Sequence, residues 1–167
     1  QAESAATIST FEIDGTEHAL TSSAPADSAV VSLDVSRDGA RLLLYLSTPL
    51  GPRLAVAGII RDQKNVPTAL GQLEYLPVAS NAPIDATWVD ARTVATVSRG
   101  GEVAPVTLYE IGGPSATFGQ VPDASTIVGG NGGADGLRVL RTSGEVLRPQ
   151  GSSWVTTGLS ARVLATK

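Results

Sequence analysis

The chain has 167 residues and a formal net charge of −4, with 12 basic and 16 acidic side chains, no cysteine, no methionine and one histidine. The length suits one ordinary domain with a real core. The missing cysteines exclude a disulfide framework, a thiolate zinc site, an iron–sulfur cluster and a thiol nucleophile, and the single histidine excludes a multi-histidine metal centre. An acidic balance with only 4% aromatic residues argues against a nucleic-acid surface. The longest apolar runs, 42–46 and 54–60, have strand length rather than the roughly 18–20 residues that cross a bilayer. Residues 1–10 carry neither the charged nor the apolar region of a signal peptide, and a chain without methionine is expected to be a processed product or an excised piece.

In chain order the local signals are β throughout. Val, Ile and Thr, which suit a pleated, half-buried surface, recur in short runs between Gly, Pro, Asp and Asn. A first hairpin is predicted over 7–13 and 18–21, turned by Asp14-Gly15-Thr16. Strands follow at 30–36, 40–47, 53–61 and 69–76, then at 85–89, 93–98, 106–111 and 115–120, then at 125–129, 137–142, 144–148 and 153–157. Helical signals are confined to 78–91, weakened by Pro77 and Pro83, and to 159–166.

The strands repeat. Thr10-Phe11-Glu12-Ile13-Asp14-Gly15 is echoed by Thr107-Leu108-Tyr109-Glu110-Ile111-Gly112, with the apolar segment 53–61 midway. A strand, a polar turn and a second strand recur around Arg37-Asp38-Gly39, around Asp90-Ala91-Arg92 and across the Gly/Asn stretch 130–136. A loose period of about 40–50 residues with four short strands per unit is that of propeller blades. The predicted fold is therefore all-β: a single domain over 1–167 forming part of a β-propeller of four-stranded antiparallel blades. A half blade falls at 7–21 and blades at 30–76, 85–120 and 125–157. The alternative is a β-sandwich. Closed rings have roughly four to eight blades, so the chain is expected to be the C-terminal part of a larger propeller, with open blade edges available for self-association.

Few residues suggest chemistry. His18, beside Glu17, is the sole candidate base for a Ser–His–Asp arrangement, but it follows an Asp-Gly turn, an ordinary place for a polar side chain. Gly129-Gly130-Asn131-Gly132-Gly133-Ala134-Asp135-Gly136 could cradle an anion, yet it lacks the Gly-Lys-Ser/Thr ending of a P-loop and reads better as a turn. Trp88 alternates with Thr87 as a core-facing residue should, whereas Trp154 fits either a core or an interface. Arg37, Arg41, Arg53, Arg61 and Lys64 cluster with Asp34, Asp38 and Asp62, a mixed solvated surface in its simplest reading. No catalytic, metal or cofactor-binding residue is expected; the protein-interaction candidates are Arg37, Arg61 and Trp154.

Val31-Ser32-Leu33-Asp34-Val35-Ser36-Arg37-Asp38-Gly39-Ala40-Arg41-Leu42 resembles the Ser-x-Asp-Gly blade signature of TolB-like propellers. Segments 53–62 and 85–95, with the tail 137–148 and Gly151-Ser152-Ser153-Trp154, are similar to the C-terminal propeller of the actinobacterial LpqB lipoprotein family, over about residues 8–158. The resemblance implies a non-catalytic, extracytoplasmic interaction domain in a lipoprotein held at the membrane by an N-terminal lipid anchor outside this chain. Its implied partners are the extracytoplasmic region of the MtrB-like sensor kinase of the MtrAB two-component system and the upstream domains of the same lipoprotein, with no nucleic acid. The alternatives are a propeller glycosidase or peptidase acting on cell-wall material, which needs two carboxylates about 5–10 Å apart, and a cell-wall-fragment sensor, for which two Trp, three Tyr and two Phe are few.

Overall fold

Short apolar and β-branched runs make the strands, and short turns rich in Gly and Asp make them antiparallel meanders. The computed structural model describes residues 8–11, 14–21, 24–25, 27–78 and 83–162. Contacts divide the chain into two compact units that meet in sequence between Pro77 and Val78.

In the first unit, β1 (Ile8–Phe11) and β2 (Glu17–Leu20) form an antiparallel hairpin. Asp14 Oδ1 accepts the Thr16 N–H at 2.9 Å to tighten its turn; Thr7, Glu12 and Ile13 of the predicted hairpin lie outside the described residues. The blade is β3 (Ala29–Val35), β4 (Arg41–Thr48), β5 (Gly51–Arg61) and β6 (Pro67–Leu70), hydrogen-bonded in that order, with β7 (Glu74–Tyr75) also on β5. On one face Leu42 and Leu44 stand opposite Ala57 and Ala55. This large-against-small pairing leaves room for Ile8 and Leu20 of the hairpin, with Leu46, Leu70 and Leu73, to complete the core. At the sheet edge, β3 leaves Val31, Leu33 and Val35 about half exposed.

The single strand predicted over 69–76 is two strands. The Gly71 N–H donates to the Gly58 carbonyl at 2.8 Å. One extra residue is accommodated between the Leu70–Ile59 pair and the Glu74–Val56 pair. This is a β-bulge. By breaking the two-residue alternation, it lets Leu70 and Leu73, three apart, enter the same core.

In the second unit, β8 (Pro83–Trp88), β9 (Thr93–Ser98), β10 (Val103–Glu110) and β11 (Ser115–Pro122) form one four-stranded antiparallel sheet. A second comprises β12 (Ala124–Val128), β13 (Arg138–Arg141), β14 (Glu145–Gln150) and β15 (Ser153–Ser160). Each sheet follows chain order, the arrangement of propeller blades. Of the helical signals, the first holds strand β8 and the second begins inside β15, while residues 79–82 and 163–167 lie outside the described residues. Strands β10 and β14 run further than predicted, through Pro105 and Pro149. Both prolines lie beyond the last residue paired to the inner neighbour, where a missing N–H costs no ladder bond.

The two sheets bury a shared aliphatic core, built from Val97, Val106 and Val121 on one side and Ile127, Leu137 and Val139 on the other. The first strand of the second sheet is also held by polar bonds. Asp85 Oδ2 accepts the Ile127 N–H, and Thr87 Oγ1 accepts the Gly129 N–H, both at 3.0 Å. Trp88 is buried, and Thr87 is buried as well. The expected one-sided burial of this strand is therefore corrected to burial on both faces, because the Thr87 hydroxyl is needed by the next sheet. Gly129 is obligatory for this approach: a Cβ there would lie 2.1 Å from the Trp88 carbonyl oxygen.

Asp85→Ala removes the acceptor of a backbone N–H at a strand edge and is expected to cost about 1–3 kcal/mol. Asp85→Asn, which keeps an amide oxygen there, should cost less. Urea unfolding of both variants checks the ranking.

Candidate functional site

Each blade has two ends, and the side chains differ between them. At the end where the first strand turns into the second, polar groups serve the turn itself. In the first unit, Ser36 is buried and donates its hydroxyl to Asp38 Oδ1 at 2.6 Å, while accepting the Arg41 N–H at 2.9 Å. Asp38 Oδ1 also accepts the Ala40 N–H at 3.0 Å, and Gly39 turns the chain at φ +66°. The Ser36 hydroxyl, then the Ala40 N–H and the Arg41 charge, hold the Asp38 carboxyl below its ordinary range. Asp62 accepts the Lys64 and Val66 N–H groups in the turn between the third and fourth strands, and Asp90 accepts those of Arg92 and Thr93.

Arg61, a predicted interaction residue, is engaged here. Its guanidinium donates to the Gly39 carbonyl at 2.9 Å and to the Asn65 carbonyl at 3.0 Å, tying two neighbouring turns together. Arg37 is exposed on one of those turns and makes no side-chain hydrogen bond or ion pair among the described residues. Trp154, in the second unit, is half-buried and packs edge-on against Phe118 at 6.0 Å between ring centroids. A Cβ on Gly119 would meet its indole nitrogen at 2.6 Å, so the glycine makes room for the ring. Arg37 and Arg61 thus belong to adjacent turns, and Trp154 to a packing contact in the other unit.

His18 is half-buried on β2 opposite Thr10, and no group of three His, Asp or Glu side chains among the described residues could hold a metal ion. The glycine-rich stretch folds into a short 3-10 turn, Gly133–Gly136. Cβ atoms at Gly130 and Gly136 would lie 2.3 and 2.6 Å from backbone carbonyl oxygens of the stretch, so its glycines serve close self-packing. In the second sheet of that unit, Arg141 pairs with Glu145 at 2.7 Å and Asp123 at 3.3 Å.

Three cavities lie at the opposite ends of the blades. Each is lined by residues at the start of a blade's first strand together with the turn between its second and third strands. One, of about 430 Å³, is bounded by Arg99, Glu102 and Asp123, and another, of about 640 Å³, by Ser125, Arg141 and Ser143. The cleft in the first unit, of about 510 Å³, is different in character: Pro25, Pro49, Leu50 and Tyr75 line it, with Thr48, Asp27 and Arg53. Leu50 is 84% exposed at the tip of the β4–β5 turn. Thr48 fixes that tip, accepting the Leu50 N–H at 3.2 Å and donating to the Gly51 carbonyl at 2.7 Å. Sequence reasoning named Arg53 only as one of a basic cluster and passed over Leu50. The available signal was an aliphatic residue in a Pro-Leu-Gly turn, where polar residues are the norm.

The turns can be tested by mutation and by titration. Arg61→Ala is expected to lower stability by roughly 0.5–1.5 kcal/mol through loss of two exposed hydrogen bonds; thermal melts check the size of the loss. Because the folded-state pKa of Asp38 is depressed, its contribution is fully present above the unfolded value of about 4 and disappears as pH falls through the lower folded value. A carboxyl-carbon NMR titration should show Asp38 inflecting below an ordinary aspartate, with Ser36→Ala moving the inflection upward.

The sequential four-stranded sheets, the repeated Asp-stabilised turns and the sheet-on-sheet core agree with a comparison at family level. The model of the lipoprotein LpqB β-propeller domain matches residues 3–161. No curated protein matches the chain. The match spans nearly the whole sequence, and the chain belongs to the LpqB β-propeller domain family.

Proposed function

We propose that this chain is a non-catalytic interaction domain of an extracytoplasmic lipoprotein, anchored to the cell membrane through a lipid outside this sequence. In this reading it modulates the sensor kinase of an MtrAB-type two-component system by binding the kinase's extracytoplasmic region. The observation that carries the reading is the cleft at Leu50. A hairpin tip held by Thr48 presents an almost fully exposed leucine beside Tyr75, Pro25 and Pro49, an apolar cluster that core packing does not require and that suits a binding surface.

The carboxylates support the same reading. A general acid of a glycosidase needs a raised pKa, whereas Asp14 and Asp38 are held low, first by the Thr16 backbone N–H and the Ser36 hydroxyl respectively. Asp62, Asp85 and Asp90 spend carboxylate oxygens on backbone N–H groups of the scaffold. Asp14 and Asp38, held low, are acceptors in a scaffold and poor proton donors at neutral pH.

Titration calorimetry of this chain against the folded extracytoplasmic region of the kinase is expected to give a dissociation constant of about 1–50 μM. No heat at such concentrations, together with release of fragments from purified peptidoglycan, would replace this reading with an enzymatic one.

A further inference from the structure

We propose that the cleft formed by Pro25, Pro49, Leu50 and Tyr75 binds an extended peptide segment of a partner protein, with a prolyl or aliphatic residue in the cleft and a neighbouring carboxylate on Arg53. This deepens the interaction-domain reading and rests on it, by naming the surface and the chemistry of the partner.

Three observations carry the assignment. The first is the lining, in which two prolines and a tyrosine ring 44% exposed surround about 510 Å³ of space. Rigid, flat, apolar walls of this kind seat extended proline-containing segments, which lose little conformational entropy on binding.

The second is charge. Arg53 makes no side-chain hydrogen bond or ion pair among the described residues, although Asp27 lines the same cleft, and Asp27 makes none either. Elsewhere Arg41 pairs with Asp38, Arg92 with Glu110, and Arg141 with Asp123 and Glu145, whereas Arg99, in a cavity with Glu102 and Asp123, makes no such pair among the described residues, as Arg53 makes none. A guanidinium left open at the edge of an apolar cleft is complementary to a carboxylate. The Asp27 carboxylate is complementary to a peptide N–H.

The third is the contrast between blades. The turns equivalent to Thr48-Pro49-Leu50-Gly51 read Arg99-Gly100-Gly101-Glu102 and Thr142-Ser143-Gly144 in the second unit. Both are polar or glycine-rich, so the fold does not demand an aliphatic residue at this turn. In Leu50 the position departs from what its repeats carry, and the Thr48 hydroxyl pre-organises it.

The test uses the intact chain, isotope-labelled for amide NMR, and three synthetic peptides capped at both ends. One is Ala-Pro-Leu-Pro-Glu-Pro; the others carry Gln or Lys in place of Glu. The acidic peptide is expected to shift the amides of Leu50, Arg53 and Tyr75, and to bind about tenfold more tightly than the Gln peptide. Arg53→Gln should abolish that difference, and Leu50→Ser should weaken all three peptides; both residues are exposed, and unchanged circular dichroism melts will show that the variants fold. No shift at about 1 mM peptide, or a preference for the acidic peptide that survives Arg53→Gln, overturns the proposal. Shifts of the same amides with phosphatidylglycerol vesicles, or with increasing protein concentration alone, overturn it in favour of a lipid surface or a second copy if the peptides give none. Kinase binding unaffected by Arg53→Gln and Leu50→Ser would sink this site and leave the interaction-domain reading standing. Peptide binding without kinase binding would do the reverse.

Discussion

A four-stranded blade has two strands with one edge unpaired, and the fold depends on how that edge is answered. Backbone N–H groups buried without an acceptor cost as much as lost hydrogen bonds, so an edge strand buried against a neighbouring sheet needs acceptors from that sheet. Asp85 and Thr87 do this for Ile127 and Gly129. The aliphatic core between these sheets, centred on Val97, Val106, Val139 and Ile127, supplies most of the apolar burial. The two polar bonds then fix the register at which it is buried. Gly129 completes the arrangement, since any side chain there would collide with the backbone of the partner strand.

The division of labour between the blade ends follows from the chemistry of the turns. Aspartate is short enough to accept N–H groups two or three residues ahead, and Asp38, Asp62 and Asp90 each do so. Their charge is thereby tied to local structure, and Arg61 adds a cross-link between two turns. At the opposite end the turns are held by Thr48 in one case and by glycine geometry in others, leaving Leu50, Arg53 and Tyr75 to face solvent.

Much of the fold was legible because it is written locally. The continuous apolar run Leu42-Leu43-Leu44-Tyr45-Leu46 and the Asp-Gly turns give strands and connections within a few residues, and the recurrence of strand, Asp/Arg turn and strand gives the blade. The bulge at Gly71 was not legible, because it depends on which residue of β5 sits opposite. The role of Asp85 was hidden for the same reason: its acceptor function is defined by a backbone group 42 residues away. Among the site residues, Arg37 and Arg61 look alike in sequence. Only the positions of two carbonyl oxygens, on Gly39 and Asn65, make one a clamp and leave the other exposed. Trp154 owes its half-burial to the absence of a side chain at Gly119 on a different sheet.

The paired bonds from Asp85 to Ile127 and from Thr87 to Gly129 share one sequence separation, 42 residues. That equality sets a rule for how such a chain can change length over evolutionary time. A residue gained or lost inside β9, β10 or β11 would shift the alternation of every side chain after it, whereas one gained in a turn that leaves the sheets, such as 99–102, changes the separation without disturbing the match of Asp85 to Ile127. Length drift is therefore channelled into the same turns that border the cavities, so the part of the blade most tolerant of insertion is also the part from which new recognition surfaces can be made.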